Sequence, residues 1–154
     1  KIQTIIDQAL NSGMEKNVGH DYLADIQERY EDSARITCET PWPVCNELLQ
    51  GGLGCGELGV IVAPAGVGKS WVLSKIGSEA IREGKKVVHY TLELNEYYVG
   101  LRYDSIFSGV ESQNLKYHKE EVMEKLFNLK GNLTIKYYPT KSCTVNTLSA
   151  HLKK

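Results

Sequence analysis

The sequence predicts an α/β fold with a mostly parallel sheet, because strand patterns and helical patterns alternate from residue 57 onward. Three segments have the strand pattern, residues 58–63, 86–92 and 133–138. The first, LGVIVA, is apolar almost throughout, as expected of a strand buried on both faces of a parallel sheet. The strands are therefore expected to be joined by helical crossovers.

Four helices are predicted around these strands from the spacing of apolar residues. One follows Lys69 and ends at Gly84, a residue suited to a helix C-terminus; others span about residues 95–108 and 114–129. The last begins at Thr144, a suitable N-cap, and carries Val145, Leu148 and Leu152. The inward-facing residues are predicted to be Val72, Leu73, Ile76, Gly77, Ala80 and Ile81 in the first helix, and Val122, Met123, Leu126 and Phe127 in the third.

Residues 1–40 have a different pattern, which predicts a helical arm and linker ahead of a domain formed by residues 41–154. A second helix of the arm is predicted from Asp21 to Tyr30, and residues 31–40 read as a linker. The sequence Pro41-Trp42-Pro43 is expected to exclude a helix and to fix an extended entry to the domain. The apolar stripe of the first helix consists of Ile2, Ile5, Ile6, Ala9 and Leu10, and it needs a partner, either this domain or a neighbouring subunit.

Composition is that of an ordinary soluble domain of 154 residues, with 42% hydrophobic and 24% charged residues. The formal net charge of −1 does not indicate a strongly cationic nucleic-acid-binding module. No run of 18 apolar residues and no secretory leader is present, so a cytoplasmic protein without a membrane span is expected. The chain begins with Lys1 and stops inside a predicted helix, which indicates a piece of a longer protein.

The four cysteines form no C-x-x-C pair. A zinc site built from Cys38, Cys45, Cys55 and His20 is conceivable, but reduced cytosolic thiols, including Cys143, are the better interpretation.

A glycine-rich loop between the first strand and the first helix carries the strongest functional signal. Gly66 and Gly68 let the backbone turn its N–H groups toward phosphate oxygens, and the helix N-terminus adds its positive dipole end. Lys69 would reach the β- and γ-phosphates, and the Ser70 hydroxyl would join the shell of a Mg²⁺ ion. The loop fits the Walker A pattern, with Ala63 in place of the first glycine, and predicts ATP and Mg²⁺ as ligands of Ala63, Pro64, Ala65, Gly66, Val67, Gly68, Lys69 and Ser70.

Further segments make the chain resemble the RecA-like core domains of DnaB-type helicases. Residues 43–53 (PVCNELLQGGL), then Gly56-Glu57-Leu58 and the glycine-rich loop, resemble the opening that these helicases share with KaiC-type ATPases, although Asn46 replaces the usual acidic residue. Residues 89–94 (HYTLEL) resemble the S-L-E-M segment of DnaB-type helicases, and residues 138–148 are similar to replicative helicases of large tailed phages. The resemblance covers residues 41–154 and, more loosely, the arm.

The resemblance implies a three-layer RecA-like P-loop NTPase fold and an ATP-dependent DNA helicase of phage or bacterial replication. It implies a homo-hexamer of the parent protein that unwinds DNA 5′-to-3′, holds single-stranded DNA with loops farther downstream, and works in the cytoplasm of a bacterial or phage-infected cell. The Walker B strand would follow the helix that starts near Thr144, beyond this chain. The chain alone is therefore expected to bind nucleotide and to hydrolyse little or no ATP.

Three residues outside the loop are candidates for the same site. Glu93 follows the second strand, where a carboxylate could polarise the attacking water, and is assigned as catalytic together with Lys69; the alternative is a solvated glutamate. Trp71 could cover the nucleotide or serve packing or an interface. Arg102 matches an arginine common in this helix of the family and could touch nucleotide, bridge subunits or pair with Asp104, whereas His89 is expected in the core.

Other functions share parts of this pattern. A RecA- or RadA-like recombinase or a KaiC-like regulatory ATPase would have the same front half, and the downstream loops would discriminate them. A small-molecule kinase lacks the L-E-L strand end and the G-G-L-G-x-G-E-L approach. A nucleotide-binding interaction module without catalysis remains open for the chain by itself.

Overall fold

The computed structural model describes residue 2 and residues 19–31 and 35–153. The chain divides into two compact units, Lys1–Arg35 and Ile36–Lys154, which are described separately below. The first predicted helix of the arm, which carries the apolar stripe from Ile2 to Leu10, lies outside the described residues apart from Ile2. The predicted division after residue 40 stays a prediction.

Helix α1 in the first unit spans Ile26–Glu31, so it begins later than the predicted start at Asp21. The Asp21 carboxylate accepts hydrogen bonds from the backbone N–H groups of Leu23 and Ala24, at 3.0 and 2.8 Å. These bonds hold residues 22–25 in a turn that leads into the helix, because a short acidic side chain satisfies the free N–H groups at the start of a helical turn.

The second unit is built from two small sheets and five helices. Strand β1 is Thr37–Cys38, α2 is Pro43–Leu48, β2 is Leu53–Gly54, α3 is Lys69–Arg82 and β3 is Lys86–Thr91. Helix α4 is Glu96–Ser108, a 3₁₀ turn covers Leu115–Tyr117, α5 is Lys119–Phe127, β4 is Asn132–Tyr137 and α6 is Val145–Leu152. No helix among these described segments, or in residues 19–31, is long and apolar enough to cross a membrane.

Strands β3 and β4 pair in parallel, with Val87 opposite Leu133 and Thr91 opposite Tyr137. Because parallel neighbours need a long connection, α4 and α5 lie between them in sequence. The core of the unit centres on Ile81 from α3 with Val99 and Tyr103 from α4. The structure is therefore α/β with a parallel pair, which is compatible with part of a P-loop fold.

The prediction of a strand at residues 58–63 is wrong, because this segment belongs to neither of the described sheets. Among the described residues nothing pairs with it, and Leu58, Val60 and Val62 are 87%, 72% and 88% exposed. An apolar run becomes a buried strand only when other strands supply hydrogen bonds on its edges. The described sheets offer this segment no such neighbour, so its sequence pattern is not expressed as a strand.

Helix α2 contradicts the expectation that Pro41-Trp42-Pro43 excludes a helix. Trp42 is extended as expected, with φ −115° and ψ 109°, but Pro43 is the first residue of the helix. Proline is accepted there because the first helical N–H has no intrahelical partner. Asn46 then accepts hydrogen bonds from the backbone N–H and hydroxyl of Thr40, both at 2.7 Å, and so ties α2 to the segment that precedes it.

Helix α3 buries small residues as well as the core residue Ile81. Ser74 and Ser78 are fully buried, and their hydroxyls donate to helix carbonyls of Ser70 and Lys75. Gly77 lies directly under the Tyr103 hydroxyl, where any side chain would clash. Leu73, predicted to face inward, is exposed. The close approach of Tyr103 from α4 therefore requires a glycine at position 77 of α3.

Helix α5 is shorter than predicted and its inward face is narrower. It is preceded by the separate 3₁₀ turn and buries Val122, whereas Met123 and Phe127 are exposed. The Lys125 ammonium group donates to the backbone carbonyl of Ser108 at 2.7 Å, so a charged residue takes part of the contact with α4. The prediction of Met123 and Phe127 as inward-facing is wrong.

The helix ends follow the sequence closely. The Asn95 side chain accepts from the Tyr98 N–H at the start of α4, and Thr144 and Thr147 form a capping box at the start of α6. Gly84, with φ 86°, follows the end of α3. These caps confirm the predicted boundaries, because each depends on neighbouring residues alone.

Candidate functional site

The glycine-rich loop enters α3 through two residues in the left-handed backbone region. Gly66 has φ 80° and Gly68 has φ 94°, values that other residues rarely adopt. Gly68 is the N-cap of α3 and offers no side-chain acceptor to the first turn. The loop therefore leads into a helix N-terminus whose positive dipole end has no side-chain cap, a local structure suited to an anion.

The Lys69 side chain folds back over the loop that precedes it. Its ammonium group donates hydrogen bonds to the backbone carbonyls of Ala63 and Pro64, each at 2.8 Å. Both predicted loop residues thus contact the lysine through their backbone. The cation is held at the mouth of the loop by groups that carry no formal charge.

A cavity of about 350 Å³ lies beside the loop and gathers most of the predicted site residues. Ala63, Pro64 and Val67, also predicted, do not line it, and Val67 is exposed. Its walls join two positive side chains, one carboxylate and one hydroxyl. The lining residues are Ala65, Gly66, Gly68, Lys69, Ser70, Trp71, Glu93 and Arg102.

Glu93 reaches the cavity because a turn follows β3. The buried Thr91 hydroxyl donates to the Leu94 carbonyl at 2.9 Å and accepts from the Leu94 N–H at 3.2 Å. The turn between these residues projects Glu93 from the carboxyl end of the strand. Sequence reasoning missed Thr91, although a threonine at a strand end is a known former of such turns.

Arg102 packs on Trp71, with its guanidinium carbon 5.4 Å from the centre of the indole ring. This contact is a cation–π interaction, which prefers tryptophan and arginine. Asp104, the alternative partner considered from sequence, instead lines a different cavity between α4, α5 and β4, and burial raises the pKa of its carboxyl. The structure therefore places Arg102 at the loop cavity.

His89 connects β3 to α4 behind the cavity. Its Nδ1 atom lies 3.0 Å from the Tyr103 hydroxyl, and their rings meet edge to face. Burial lowers the pKa of His89, with a further contribution from the Arg102 charge, and burial raises the pKa of Tyr103 to about 12. His89 is half-buried on the core side, so it supports the residues that line the cavity.

We expect the unfolding free energy of the chain to fall as the pH drops below about 6.5. The pKa of His89 is lower in the folded chain than in the unfolded one, so the unfolded chain takes up the proton first. The contribution of neutral His89 to the unfolding free energy is complete above the pKa of His89 in the unfolded chain. It is lost as the pH falls through the lower pKa of His89 in the folded chain. Urea midpoints at about pH 7.5 and about pH 5 should differ more for the wild type than for His89→Gln. Equal differences would contradict this assignment.

The cysteines are free thiols: Cys45 and Cys55 are exposed, and Cys38 and Cys143 are partly buried. Within residues 19–31 and 35–153, the group of three side chains close enough to share a metal ion is His20, Asp25 and Glu28, all exposed or half-exposed. No cysteine belongs to it. Among the described residues of the second unit, Cys38, Cys45 and Cys55 do not come together as three ligands of one metal ion. A zinc site that also takes His20 from the first unit stays a prediction.

Comparison with known proteins identifies a relative of the chain. No family model matches the chain. The chain is 27% identical, over 165 aligned residues, to a DnaB-like replicative helicase of Enterobacteria phage T4. The alignment covers 99% of this chain and 34% of that protein, so the chain spans about a third of its relative. This similarity supports a relationship to DnaB-like helicases.

Proposed function

We propose that the chain is the ATP-binding part of a replicative DNA helicase that couples ATP hydrolysis to DNA unwinding. The observation that carries the proposal is the cavity at the start of α3, where Lys69, Ser70, Glu93 and Arg102 meet beside the glycine-rich loop. The similarity to a phage protein named as a DnaB-like replicative helicase supports the helicase assignment over the other ATPase classes.

The residues present fit a nucleoside triphosphate with Mg²⁺. A side-chain carbon built at Gly66 or Gly68 meets no atom within 4 Å, so the space above the loop is open for phosphate oxygens. Lys69 and Arg102 supply positive charge at that space, and Ser70 supplies a hydroxyl oxygen suited to Mg²⁺. Bound Mg·ATP would contribute the phosphoryl group and a metal ion that neutralises its charge.

The side chains divide the chemistry between them. The Lys69 ammonium leaves the carbonyls of Ala63 and Pro64 and binds phosphate oxygens, which offer it a full negative charge. Arg102 adds a second cation at the same cavity. Glu93 would orient a water molecule and accept its proton as the water oxygen bonds to the terminal phosphorus, while the bond from that phosphorus to the bridging oxygen breaks and ADP leaves. Trp71 keeps Arg102 in place through the ring contact.

The three-layer RecA-like architecture belongs to the same proposal. Residues 59–61 and 89–94 line the same cavity of about 450 Å³. We infer that strands from the longer protein pair with the apolar segment 58–63 and bury Val60 and Val62. One of those strands would carry the second metal-binding carboxylate. Single-stranded DNA binding, hexamer formation and a cytoplasmic location are proposed for the longer protein on the same basis.

The proposal is tested on a longer protein that contains this chain. Its ATP hydrolysis should be stimulated by single-stranded DNA, and Lys69→Ala should abolish the basal and the stimulated rates. Lys119→Ala, which removes an exposed lysine at the start of α5, is the matched control and should leave both rates unchanged. Hydrolysis that ignores DNA would reject the helicase and favour a regulatory ATPase.

A further inference from the structure

The turn that carries Glu93 starts at Thr91, the last residue of β3, and ends at Glu96, the first residue of α4. The Thr91 hydroxyl bonds to the backbone N–H and carbonyl groups of Leu94. Both bonds join residues of the turn itself, so they shape its first half. The Glu96 end of the turn has to be held by other contacts.

Glu96 attaches this second end of the turn to strand β4. One carboxylate oxygen of Glu96 accepts hydrogen bonds from the Tyr137 backbone N–H at 3.0 Å and from the Lys136 ammonium group at 3.1 Å. The first of these bonds, and then the second, lower the pKa of Glu96. A carboxylate in the first turn of a helix also interacts favourably with the positive end of the helix dipole. Glu96 therefore joins the start of α4 to the last two residues of β4.

The same part of β4 also holds the first end of the turn. Thr91 lies opposite Tyr137 in the parallel pair, and the Tyr138 N–H donates to the Thr91 carbonyl at 3.0 Å. Residues 91 and 96 are thus both attached to residues 136–138, and Glu93 lies between the two attachments. This double attachment restricts the position of the Glu93 carboxylate in the loop cavity.

The ion pair between Glu96 and Lys136 has little weight as a stabilising contact. The two side chains are 39% and 41% exposed, and ion pairs at such exposure contribute little to the unfolding free energy. The geometric effect of the pair can be larger, because misplacing a catalytic group by about 1 Å can cost about 10²-fold in rate. Loss of Glu96 is therefore expected to affect turnover more than stability.

We propose that Glu96 is a positioning residue for ATP hydrolysis and acts by holding the Glu93 carboxylate at the loop cavity. The inference rests on the proposed function, because Glu93 must first act as the base. Glu96 does not line the loop cavity, so it acts through Glu93 rather than on the nucleotide. Turnover then depends on β4 as well, although none of the residues of β4, all of which the structure describes, lines that cavity.

The test is a double-mutant cycle in the longer protein that contains this chain, with kcat and KM measured for ATP. Glu96→Ala should lower kcat about tenfold, because the Thr91 turn still holds one end, and should change KM less than about twofold. Glu96→Gln should keep most of the wild-type rate, because its amide oxygen can still accept from the Tyr137 N–H. In the Glu93→Gln background, Glu96→Ala should have no further effect, because no base is left to position.

Glu121→Ala is the matched control for loss of an ion pair. Glu121 pairs with Lys125 at 2.7 Å, and their side chains are 46% and 44% exposed, close to the values for the Glu96 pair. Both residues lie on α5, so this variant should leave kcat unchanged. The urea midpoints of both alanine variants should lie close to that of the wild type.

Three results would overturn the positioning role and leave the proposed function intact. They are a wild-type kcat in Glu96→Ala, a loss that falls on KM, and equal losses of rate with and without the Glu93 carboxylate. If the longer protein with its wild-type sequence hydrolyses no ATP, the proposed function fails and the positioning role fails with it.

Discussion

Glu93→Gln is expected to slow ATP hydrolysis by the longer protein about 10²–10⁴-fold, the usual contribution of a general base. The side chain lies in the loop cavity with Lys69 and Arg102, and the Thr91 turn holds it at the end of β3. Glutamine keeps the size of the side chain and loses the proton acceptor. Nucleotide binding should therefore persist, so the loss falls on kcat rather than on KM.

The comparison that makes this result specific uses two further variants. Glu120→Gln changes an exposed glutamate in the first turn of α5 and should leave hydrolysis unchanged. Lys69→Ala should lose nucleotide binding as well as hydrolysis. A Glu93→Gln variant that retains the wild-type rate would assign Glu93 to the solvated surface.

Gly131→Ala is expected to destabilise the chain by about 3 kcal/mol or more, at the upper end of the cost of overpacking. A side-chain carbon at this position would lie 2.6 Å from the Ile81 carbonyl oxygen and also strike that of Lys85. Both obstacles are backbone atoms, so neither can rotate away. The chain crosses the end of α3 here, and Gly131 itself donates a hydrogen bond to the Ile81 carbonyl at 2.9 Å.

Gly100→Ala is the matched control, because Gly100 lies inside α4 and its nearest neighbour would be Ile135 at 3.9 Å. Alanine there should be neutral or should stabilise the helix by up to about 1 kcal/mol. Urea denaturation at neutral pH measures both variants. Equal urea midpoints for Gly131→Ala and the wild type would contradict the predicted clash with the Ile81 and Lys85 carbonyl oxygens.

Local signals made much of the helical structure predictable. Asn95, Thr144 and Gly84 each fix a helix end through bonds to residues a few positions away, and the sequence contains all the partners. Strands β3 and β4 were also predicted within one residue at each end. Their apolar alternation reflects a face that packs on α4, which lies between them in the chain.

Non-local pairing limited the rest of the prediction. Residues 58–63 have a strand pattern whose edges find no partner among the described residues, and the two-residue strands β1 and β2 are too short to leave a pattern. The burial of Ser74 and Ser78 depends on what packs against α3, which helical periodicity does not report.

Local sequence signals also predicted most residues that line the loop cavity, but they did not predict the contacts between those residues. Lys69 and Ser70 occupy fixed places in a pattern, and Glu93 follows a predicted strand. The contact between Trp71 and Arg102 joins two helices and depends on how they pack. The assigned roles of these residues in binding and catalysis stay predictions.

The two hydrogen bonds that Lys69 makes to its own loop bear on how tightly any anion can be held. An incoming anion has to replace the two hydrogen bonds of 2.8 Å that the Lys69 ammonium group already donates to backbone carbonyls. The measured affinity then reflects the difference in free energy between Lys69 bonded to the anion and Lys69 bonded to its own loop. A modest difference favours prompt release of the spent ligand, because the lysine has neutral partners to return to. If the proposed ATP hydrolysis holds, the return of Lys69 to these carbonyls would shorten the time for which the product occupies the site.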